Sequence, residues 1–381
     1  MGTIVLLDLM GGIALLLWGL HMVQSGILRA FGSDLRYLLS KALANRLAAF
    51  AAGLGLTTLL QSSTATALMT TSFTVQGAIS LVSGLAIVLG ANVGTTLIVQ
   101  LLSFNVAAAA PVLFLAGVIA FRSASRATVK DLGRVAIGLG LMLLALHTLR
   151  DTLQPAEAAP SVRVLFAAIT GDPIMCILLA ALFTWAVHSS VATVLLVMSL
   201  AYSQFVTPAA ALALVLGANL GAAVNPVFEG GRRGDAASYR LPVGNLINRL
   251  VGVVLVGPFL NAIAGAMSAF QPDMARMTAE FHMAFNVALA AGFIGLLGPL
   301  AWLLERLFPA RKDAADPASP RYLDETALET PSLALADAAR ETLRMGDVVE
   351  VMLRQVMTAL MTNDRALVRE VSRMDNVVDK L

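Results

Sequence analysis

Two short segments join an amide or an imidazole to consecutive hydroxyl side chains, in a chain that is otherwise strongly apolar. The first is Gln61-Ser62-Ser63-Thr64 and the second is His188-Ser189-Ser190. Hydroxyl and backbone N–H groups bind anions, whereas hydroxyl, amide and carbonyl oxygens bind small cations. This chemistry predicts reversible ion binding, and we do not expect an enzyme. The alternative is that these Ser and Thr side chains only join packed helices, as they commonly do in membrane bundles.

The composition indicates an integral membrane protein. Of the 381 residues 58% are apolar and only 13% are charged, and the mean hydropathy is +0.80. Runs such as Thr3 to Leu28 and Leu81 to Leu102 approach or exceed the roughly 20 residues that cross a bilayer as a helix. The basic residues are confined to a few loops and form no nucleic-acid patch. Cys176 is the single cysteine, which excludes an intramolecular disulfide.

An internal duplication relates the two polar segments. A shift of 127 residues lays Gln61 to Thr96 over His188 to Ala223 without a gap, and 14 of the 36 positions are identical. The spacing of Lys- and Arg-bearing loops predicts three crossings and one re-entrant hairpin in each half, so that the second half is inverted. The hairpins are expected at roughly 48–75 and 164–201. A last helix at about 281–306 brings the prediction to seven crossings.

A second repeated signature surrounds an asparagine. Gly90-Ala91-Asn92-Val93-Gly94 corresponds to Gly217-Ala218-Asn219-Leu220-Gly221. Two glycines beside an amide predict a broken helix in which the asparagine bonds freed backbone or a ligand. Close helix packing at G-x-x-x-G spacing is the alternative.

Arg249 is the clearest cation inside a predicted membrane span. No carboxylate lies near it in sequence, so an anionic substrate is one candidate partner. The alternative is that its side chain extends to the cytoplasmic face from a helix end. His21 and His147 occupy corresponding positions of the two halves, and we expect both to be buried packing residues.

The motifs together resemble the type II sodium-dependent phosphate cotransporters, in particular bacterial members with a C-terminal PhoU-like domain. The resemblance rests on the doubled QSS signature, the paired GAN segments and the FN pair at Phe285 and Asn286. It implies an all-α integral membrane protein with two inverted repeats, each containing a re-entrant hairpin and broken helices. It also implies a short soluble helical hairpin at the C-terminus, similar to the first helices of a PhoU domain, with its turn at Thr362 and Asn363.

The resemblance also implies a domain organisation and a set of site residues. The expected organisation is a first transmembrane repeat over 1–128, a second over 129–265, a final transmembrane helix within 266–308, a linker over 309–332 and the partial PhoU-like hairpin over 333–381. Substrate-binding residues are expected at Ser62, Ser63, Ser189, Ser190, Asn92, Asn219 and Arg249. Sodium ligands are expected at Gln61, Thr64, Thr66, His188, Thr193 and Thr95. Val191 and His188 depart from the family's motif, which leaves open how many sodium ions bind and whether a proton replaces one.

The implied function is sodium-coupled symport of inorganic phosphate by alternating access, with sodium as the co-transported ion. The alternatives are symport of another oxyanion or a dicarboxylate, and a membrane phosphate sensor without net transport. We expect a multi-pass protein of the bacterial inner membrane with its N-terminus outside and its C-terminus in the cytoplasm. The expected partners are phosphate, sodium and the lipid bilayer, no nucleic acid, and a second copy in a homodimer.

Overall fold

The computed structural model describes residues 2–41, 45–75, 77, 79–103, 109–157, 170–231, 235–309, 320–323, 331–362 and 364–379. Within these residues the chain forms α-helices and two 3-10 turns, without a strand. It divides into two compact units, Met1–Ala310 and Arg311–Leu381. The all-helical architecture expected from the sequence is confirmed.

Helices of matching length recur in the two halves of the first unit. The first half contains α1 Gly2–Lys41, α2 Arg46–Leu60, α3 Ser63–Val75, α4 Leu81–Ser103 and α5 Ala109–Ser123. The second half contains α6 Ala127–Glu157, α7 Pro173–Val187, α8 Ser190–Tyr202, α9 Pro208–Gly230 and α10 Arg240–Val256. Helices α2 and α7 each have 15 residues, α3 and α8 each have 13, and α4 and α9 each have 23. The duplication seen in the sequence therefore extends to the order and the length of these helices.

Several described helices are suited to span a membrane. By length and apolar composition these are Leu7–Phe31, Leu81–Ser103, Ala127–Thr152, Pro208–Gly230 and Ala236–Phe270, and a bent helix pair near the end of the unit makes a sixth. Helix α5 is apolar but has only 15 residues, and residues 104–108 before it lie outside the described residues. The predicted total of seven crossings and the inversion of the second half therefore remain predictions.

The prediction of broken helices at the two asparagine signatures is wrong. Helix α4 continues through Gly90 and Gly94, and α9 continues through Gly217 and Gly221. An ideal Cβ on Gly90 would overlap the carbonyl oxygen of Phe50 in α2, and one on Gly217 would overlap that of Ile177 in α7. The glycines therefore allow α2 to pack directly on α4 and α7 on α9, as in small-residue packing of membrane helices.

Residues that end helices position the paired short helices. Asp172 caps α7 by accepting a hydrogen bond from the backbone N–H of Ile174, and Thr207 caps α9, whose first residue is Pro208. A polar N-cap followed by proline is the expected start of a helix, because proline lacks the N–H that would be unpaired there. The sequence thus determines where the second helix pair begins and where the long helix after it starts.

The last part of the first unit contains α11 Leu260–Phe270, α12 Met274–Phe293 and α13 Leu297–Leu307. The expected last helix at about 281–306 is interrupted, because α12 and α13 are bent by 80° at the break between them. Pro299 has no N–H for the carbonyl of Gly295, and glycine lowers helix stability at the same place. Arg46 Nη1 lies 3.5 Å from the carbonyl oxygens of Ile294 and Gly295 and donates to both. This bond links the start of α2 to the bend.

Helix α12 lies at the centre of the first unit. It packs against α4 of the first half and against α8 and α9 of the second half. Its buried residues include His282 and Asn286, beside apolar residues such as Phe281 and Phe285. Burying these two polar side chains is unfavourable unless they form hydrogen bonds, so their hydrogen-bond partners are important for the function.

The second unit contains α14 Pro331–Thr362 and α15 Arg365–Val378, which pack on each other. The helix ends agree with the predicted turn at Thr362, while Asn363 lies outside the described residues. Glu341 is buried, accepts from the backbone N–H groups of Arg321 and Tyr322, and pairs with Arg344. This carboxylate fixes the short segment 320–323 to α14.

Candidate functional site

Both polar segments lie where a pair of short helices reverses direction. Gln61 ends α2 with φ 53° and ψ 25°, and His188 ends α7 with φ 57° and ψ 23°. Left-handed backbone is uncommon for residues other than glycine and is often found at functional sites. The same unusual conformation at positions 127 residues apart marks these two reversals, which we call the tips, as corresponding features of the two halves.

Threonine pairs hold the two arms of each helix pair together. Thr57 Oγ1 and Thr66 Oγ1 are 2.8 Å apart, and Thr184 Oγ1 donates to Thr193 Oγ1 at the same distance. Thr66 and Thr193 also donate to the carbonyl oxygen of the serine four residues earlier. All four threonines are buried. The predicted sodium ligands Thr66 and Thr193 therefore lie between the arms and are already bonded there.

The first serine of each segment caps the helix that follows it. Ser62 Oγ accepts from the N–H of Ala65, and Ser189 Oγ accepts from that of Ala192, both at 3.1 Å. These are the N-cap bonds of α3 and α8. Ser63 and Ser190 begin the two helices, and their hydroxyls form no hydrogen bond with another described residue. In each tip the first serine therefore caps a helix, whereas the hydroxyl of the second serine is available to a ligand.

One cavity brings the two tips together. It is a small cleft, with about 260 Å³ of empty space when the open solvent at its mouth is counted, and its lining is mainly polar. The lining residues are Gln24, Gln61, Ser62, Ser63, Thr64, Thr95, His188, Ser189, Ser190, Val191 and Ala222. Eight of the predicted site residues therefore line one cavity, and five others, Thr66, Thr193, Asn92, Asn219 and Arg249, do not.

Gln24 is a cavity residue that the sequence analysis missed. It projects from α1, and its Nε2 donates to the carbonyl oxygen of Gln61 at 3.2 Å. The available signal was an amide within a span that is otherwise apolar. Gln61 Oε1 is buried and has no hydrogen-bond donor among the described residues, although it belongs to the cavity lining. A buried acceptor without a donor is suited to bind a cation or a ligand N–H or O–H.

Glu229 is the second residue that was missed. Its Oε1 lies 2.9 Å from Nδ1 of His188, and the two side chains are 36% and 59% exposed. The corresponding residues in the first half are Leu102 and Gln61, so this imidazole–carboxylate contact has no counterpart there. The two tips therefore share a backbone conformation, but only the second tip contacts a carboxylate, that of Glu229.

The two asparagines of the repeated signature bind the same helix from opposite halves. Asn92 donates to Asn245 Oδ1 at 2.9 Å, and Asn219 Oδ1 accepts from Arg249 Nη1. Asn245 and Arg249 are four residues apart on α10, which places them on one helix face. Asn286 of α12 also donates to Asn219 Oδ1, at 3.0 Å. Arg249 is only 2% exposed, so the alternative of a side chain extending to the aqueous face is wrong.

The two histidines of the first helices lie outside the cavity lining. His21 is exposed and its ring lies 5.6 Å from that of Trp18. His147 is 61% exposed and lies 3.4 Å from Asp151. The expectation that both are buried packing residues is wrong.

Comparisons with known proteins agree with the duplicated site. The Na+/Pi-cotransporter family model matches twice, at residues 15–151 and 147–285, and the PhoU domain model matches residues 342–381. No solved structure matches the chain. The two family matches contain one tip each, so the family model covers both copies of the repeat.

Three relatives have the following extent of similarity. An Escherichia coli (strain K12) protein with the provisional name inorganic phosphate export protein YjbB is 38% identical over 348 residues, which are 91% of this chain and 64% of the relative. The Salmonella typhimurium protein of the same name is 38% identical over 365 residues, 95% of this chain and 67% of the relative. The uncharacterized protein YqeW of Bacillus subtilis (strain 168) is 26% identical over 308 residues, 81% of this chain and the whole relative. The chain thus spans 64% of the length of the Escherichia coli relative. On the two family matches, which together run from residue 15 to residue 285, the chain belongs to the Na+/Pi-cotransporter family.

Proposed function

We propose that the protein transports inorganic phosphate across the membrane together with sodium, and that both bind in the cavity between the tips. The single observation that supports this most is the meeting of the two QSS-type segments at one polar cavity. Three further observations support this proposal: the family match, the word phosphate in the names of the relatives, and the polar lining of the cavity.

The phosphate would be bound by the first turns of α3 and α8. Both helices begin at the cavity, and the N-terminus of a helix presents free N–H groups and a partial positive charge to an anion. Ser63 and Ser190 add hydroxyl donors that are not bonded to other described residues. These donors come from both halves, so a single phosphate would be bound by the two tips at once.

Sodium would be bound by neutral oxygens beside the phosphate. Gln61 Oε1 needs a partner, and the Thr64 hydroxyl lines the same cavity. Thr95 Oγ1 donates to the carbonyl of Asn92 at 2.8 Å, which leaves its lone pairs for a cation. No Lys or Arg is among the described lining residues, so a mobile cation is suited to offset the charge of the phosphate.

Alternating access is the transport mechanism that this proposal implies. The two helix pairs would act as re-entrant hairpins in oppositely oriented repeats, with the cavity near the middle of the bilayer. The N-terminus would lie outside, and the second unit would lie in the cytoplasm of a bacterial cell. Exposed cysteines introduced near each end of α1 and labelled from one side of the membrane test this orientation.

Uptake by proteoliposomes tests the function. Labelled phosphate should accumulate above its external concentration only when sodium is higher outside, and potassium or choline should not replace sodium. Accumulation that ignores the sodium gradient contradicts sodium coupling. Saturation at one phosphate per protomer without accumulation favours a sensor, and uptake of sulfate or a dicarboxylate in preference to phosphate favours another substrate.

Export is a second candidate for the physiological direction, favoured by the name of the relatives that are 38% identical. A coupled symporter is reversible, because the direction of net flux is set by the combined gradients of phosphate and sodium. Liposomes loaded with phosphate and sodium should therefore release phosphate into a medium that lacks both. Release that is fast while uptake is absent under the mirrored gradients would identify a protein specialised for export.

A further inference from the structure

A buried arginine stands behind the cavity in the second half. Arg249 donates from Nη1 to Asn219 Oδ1, and Asn286 donates to the same oxygen. Among the described residues Arg249 forms no salt bridge, and its Nε has no hydrogen-bond partner. A buried guanidinium bound only by neutral groups keeps its positive charge largely unneutralised, which is unfavourable unless an anion comes close.

The described groups around Arg249 do not supply a negative charge. Its buried polar neighbours on α10 and α12 are neutral amides and an imidazole, namely Asn248, Asn286 and His282, with Asn219 on α9. Glu229, the carboxylate that contacts the cavity residue His188, lies 2.9 Å from its Nδ1 and does not contact Arg249. The charge of Arg249 is therefore available to act on a ligand in the cavity.

Helix geometry places the asparagine that binds this charge one helical turn from a residue of the cavity wall. Asn219, which holds the guanidinium, lies three residues before Ala222 on α9, and Ala222 lines the cavity. Residues three apart are neighbours on a helix face. In the first half Asn92 lies three residues before Thr95 in the same way, but its partner on α10 is the neutral Asn245. Of the two residues of α10 that bind these asparagines, only Arg249 carries a positive charge.

We propose that Arg249 is a fixed counter-charge for the bound phosphate and takes the place of one co-transported cation. This inference rests on the proposed phosphate site between the tips. Arg249 acts through space and through Asn219, so it is a positioning and electrostatic residue that does not touch the phosphate. A fixed positive charge offsets the charge of the anion most when no sodium is bound, and phosphate should therefore bind appreciably at low sodium.

Two substitutions separate the charge from the packing. Arg249→Gln keeps a donor for Asn219 and removes the charge, whereas Arg249→Lys keeps the charge. Unit charges about 10 Å apart at an effective dielectric of about 20 attract strongly enough to change an affinity roughly tenfold. At low sodium, Arg249→Gln should raise the phosphate KM of uptake by about tenfold, and at saturating sodium by less than about threefold, because bound sodium supplies the missing charge. Arg249→Lys should stay within about threefold of the unsubstituted protein at both sodium concentrations.

Three outcomes overturn the inference: an unchanged KM in Arg249→Gln, a rise of equal size at every sodium concentration, or a defect in Arg249→Lys equal to that in Arg249→Gln. If Arg249→Gln does not purify as a single species, Arg249→Met fills a similar volume without a polar group and gives the same comparison. Failure of the proposed function is distinct, because the unsubstituted protein would then show no phosphate uptake at any sodium concentration.

Discussion

Thr184 donates a hydrogen bond to Thr193 across the two arms of the second helix pair, at an oxygen separation of 2.8 Å. Thr57 and Thr66 repeat this bond in the first pair at the same distance. Each bond joins two residues that are nine apart in sequence, and the chain reversal between them contains a residue with left-handed backbone. The two tips are therefore rigid units, each closed by a buried bond just below the serines that line the cavity.

Removing the hydroxyl of Thr193 should destabilise the protein more than it changes ion affinity. Thr193→Val leaves the Thr184 hydroxyl without its acceptor, and interhelical hydrogen bonds in membranes contribute about 0.6 to 1.7 kcal/mol. The Thr184→Val and Thr193→Val double variant should lose less than the sum of the single losses. Thermal unfolding in detergent measures the cycle. Unchanged stability together with a loss of sodium dependence would instead support Thr193 as a sodium ligand.

Ser63 and Ser190, the second serines of the tips, should be important for transport and not for stability. Ser63→Ala combined with Ser190→Ala removes two hydroxyls that bond no other described residue, and each donor to a charged ligand contributes about 1.5 to 3 kcal/mol. The phosphate KM should rise at least about tenfold while the unfolding temperature stays the same. Ser62→Ala combined with Ser189→Ala should raise the phosphate KM and also lower the unfolding temperature, because each change removes an N-cap contribution of about 1 kcal/mol.

Ser80→Ala is the matched control for this experiment. Ser80 Oγ accepts from the N–H of Ser83 at the start of α4 and does not belong to the cavity lining. The substitution should lower stability by a similar N-cap contribution, about 1 kcal/mol, and leave the phosphate KM as it is. A loss of stability in Ser63→Ala with Ser190→Ala as large as that in Ser80→Ala would mean that these serines serve packing.

Gly217 should tolerate no side chain. A Cβ there would overlap the backbone carbonyl of Ile177, which cannot move without shifting α7. Gly217→Ala should therefore cost at least about 1 to 3 kcal/mol, as overpacking does, and lower the yield of folded protein. Gly55→Ala is the control, since a Cβ on Gly55 meets nothing within 4 Å and alanine favours a helix by up to about 1 kcal/mol. Equal stability of the two variants would contradict the close approach of α7 and α9.

The sequence predicted the parts of the site that depend on local pattern. The duplication and the position of each helix pair follow from repeated residue types, because hydroxyls and glycines were shared at a constant offset. The cavity then confirmed that the two tips meet, although only the family and the repeat suggested it. Local pattern also identified Arg249 as an isolated cation within an apolar helix.

Tertiary packing decided what the sequence left open or predicted wrongly. Gly90 and Gly217 fit a broken helix and a close helix crossing equally well, and only the position of the neighbouring carbonyls distinguishes the two. Gln24 and Glu229 carry no repeated signature, so nothing local connects them to residues 37 and 41 positions away. Arg249 was expected among the substrate-binding residues; it lies outside the cavity lining and donates to Asn219 of a different helix, a contact that no local pattern indicated.

The contact between His188 and Glu229 should tune the balance between the two ligands. His188→Gln restores the residue of the first tip and removes the imidazole that lies against the carboxylate of Glu229. An unpaired negative charge attracts sodium and repels phosphate, so the sodium affinity should rise and the phosphate affinity should fall. Glu229→Gln should have the opposite effect, because it removes the negative charge and leaves the histidine. Both side chains are partly exposed, and each change should therefore amount to a few-fold at low ionic strength and less at high ionic strength.

The double variant, His188→Gln with Glu229→Gln, decides whether charge is the cause. With both partners neutral, as in the first half, the two affinities should return to within about twofold of the unsubstituted protein, since the opposed effects cancel. Sodium and phosphate affinities are measured separately, from initial uptake rates in proteoliposomes at constant pH, with ionic strength held by choline chloride. Single variants that shift both affinities in the same direction would indicate a distorted tip, because loss of one charge must act oppositely on a cation and on an anion.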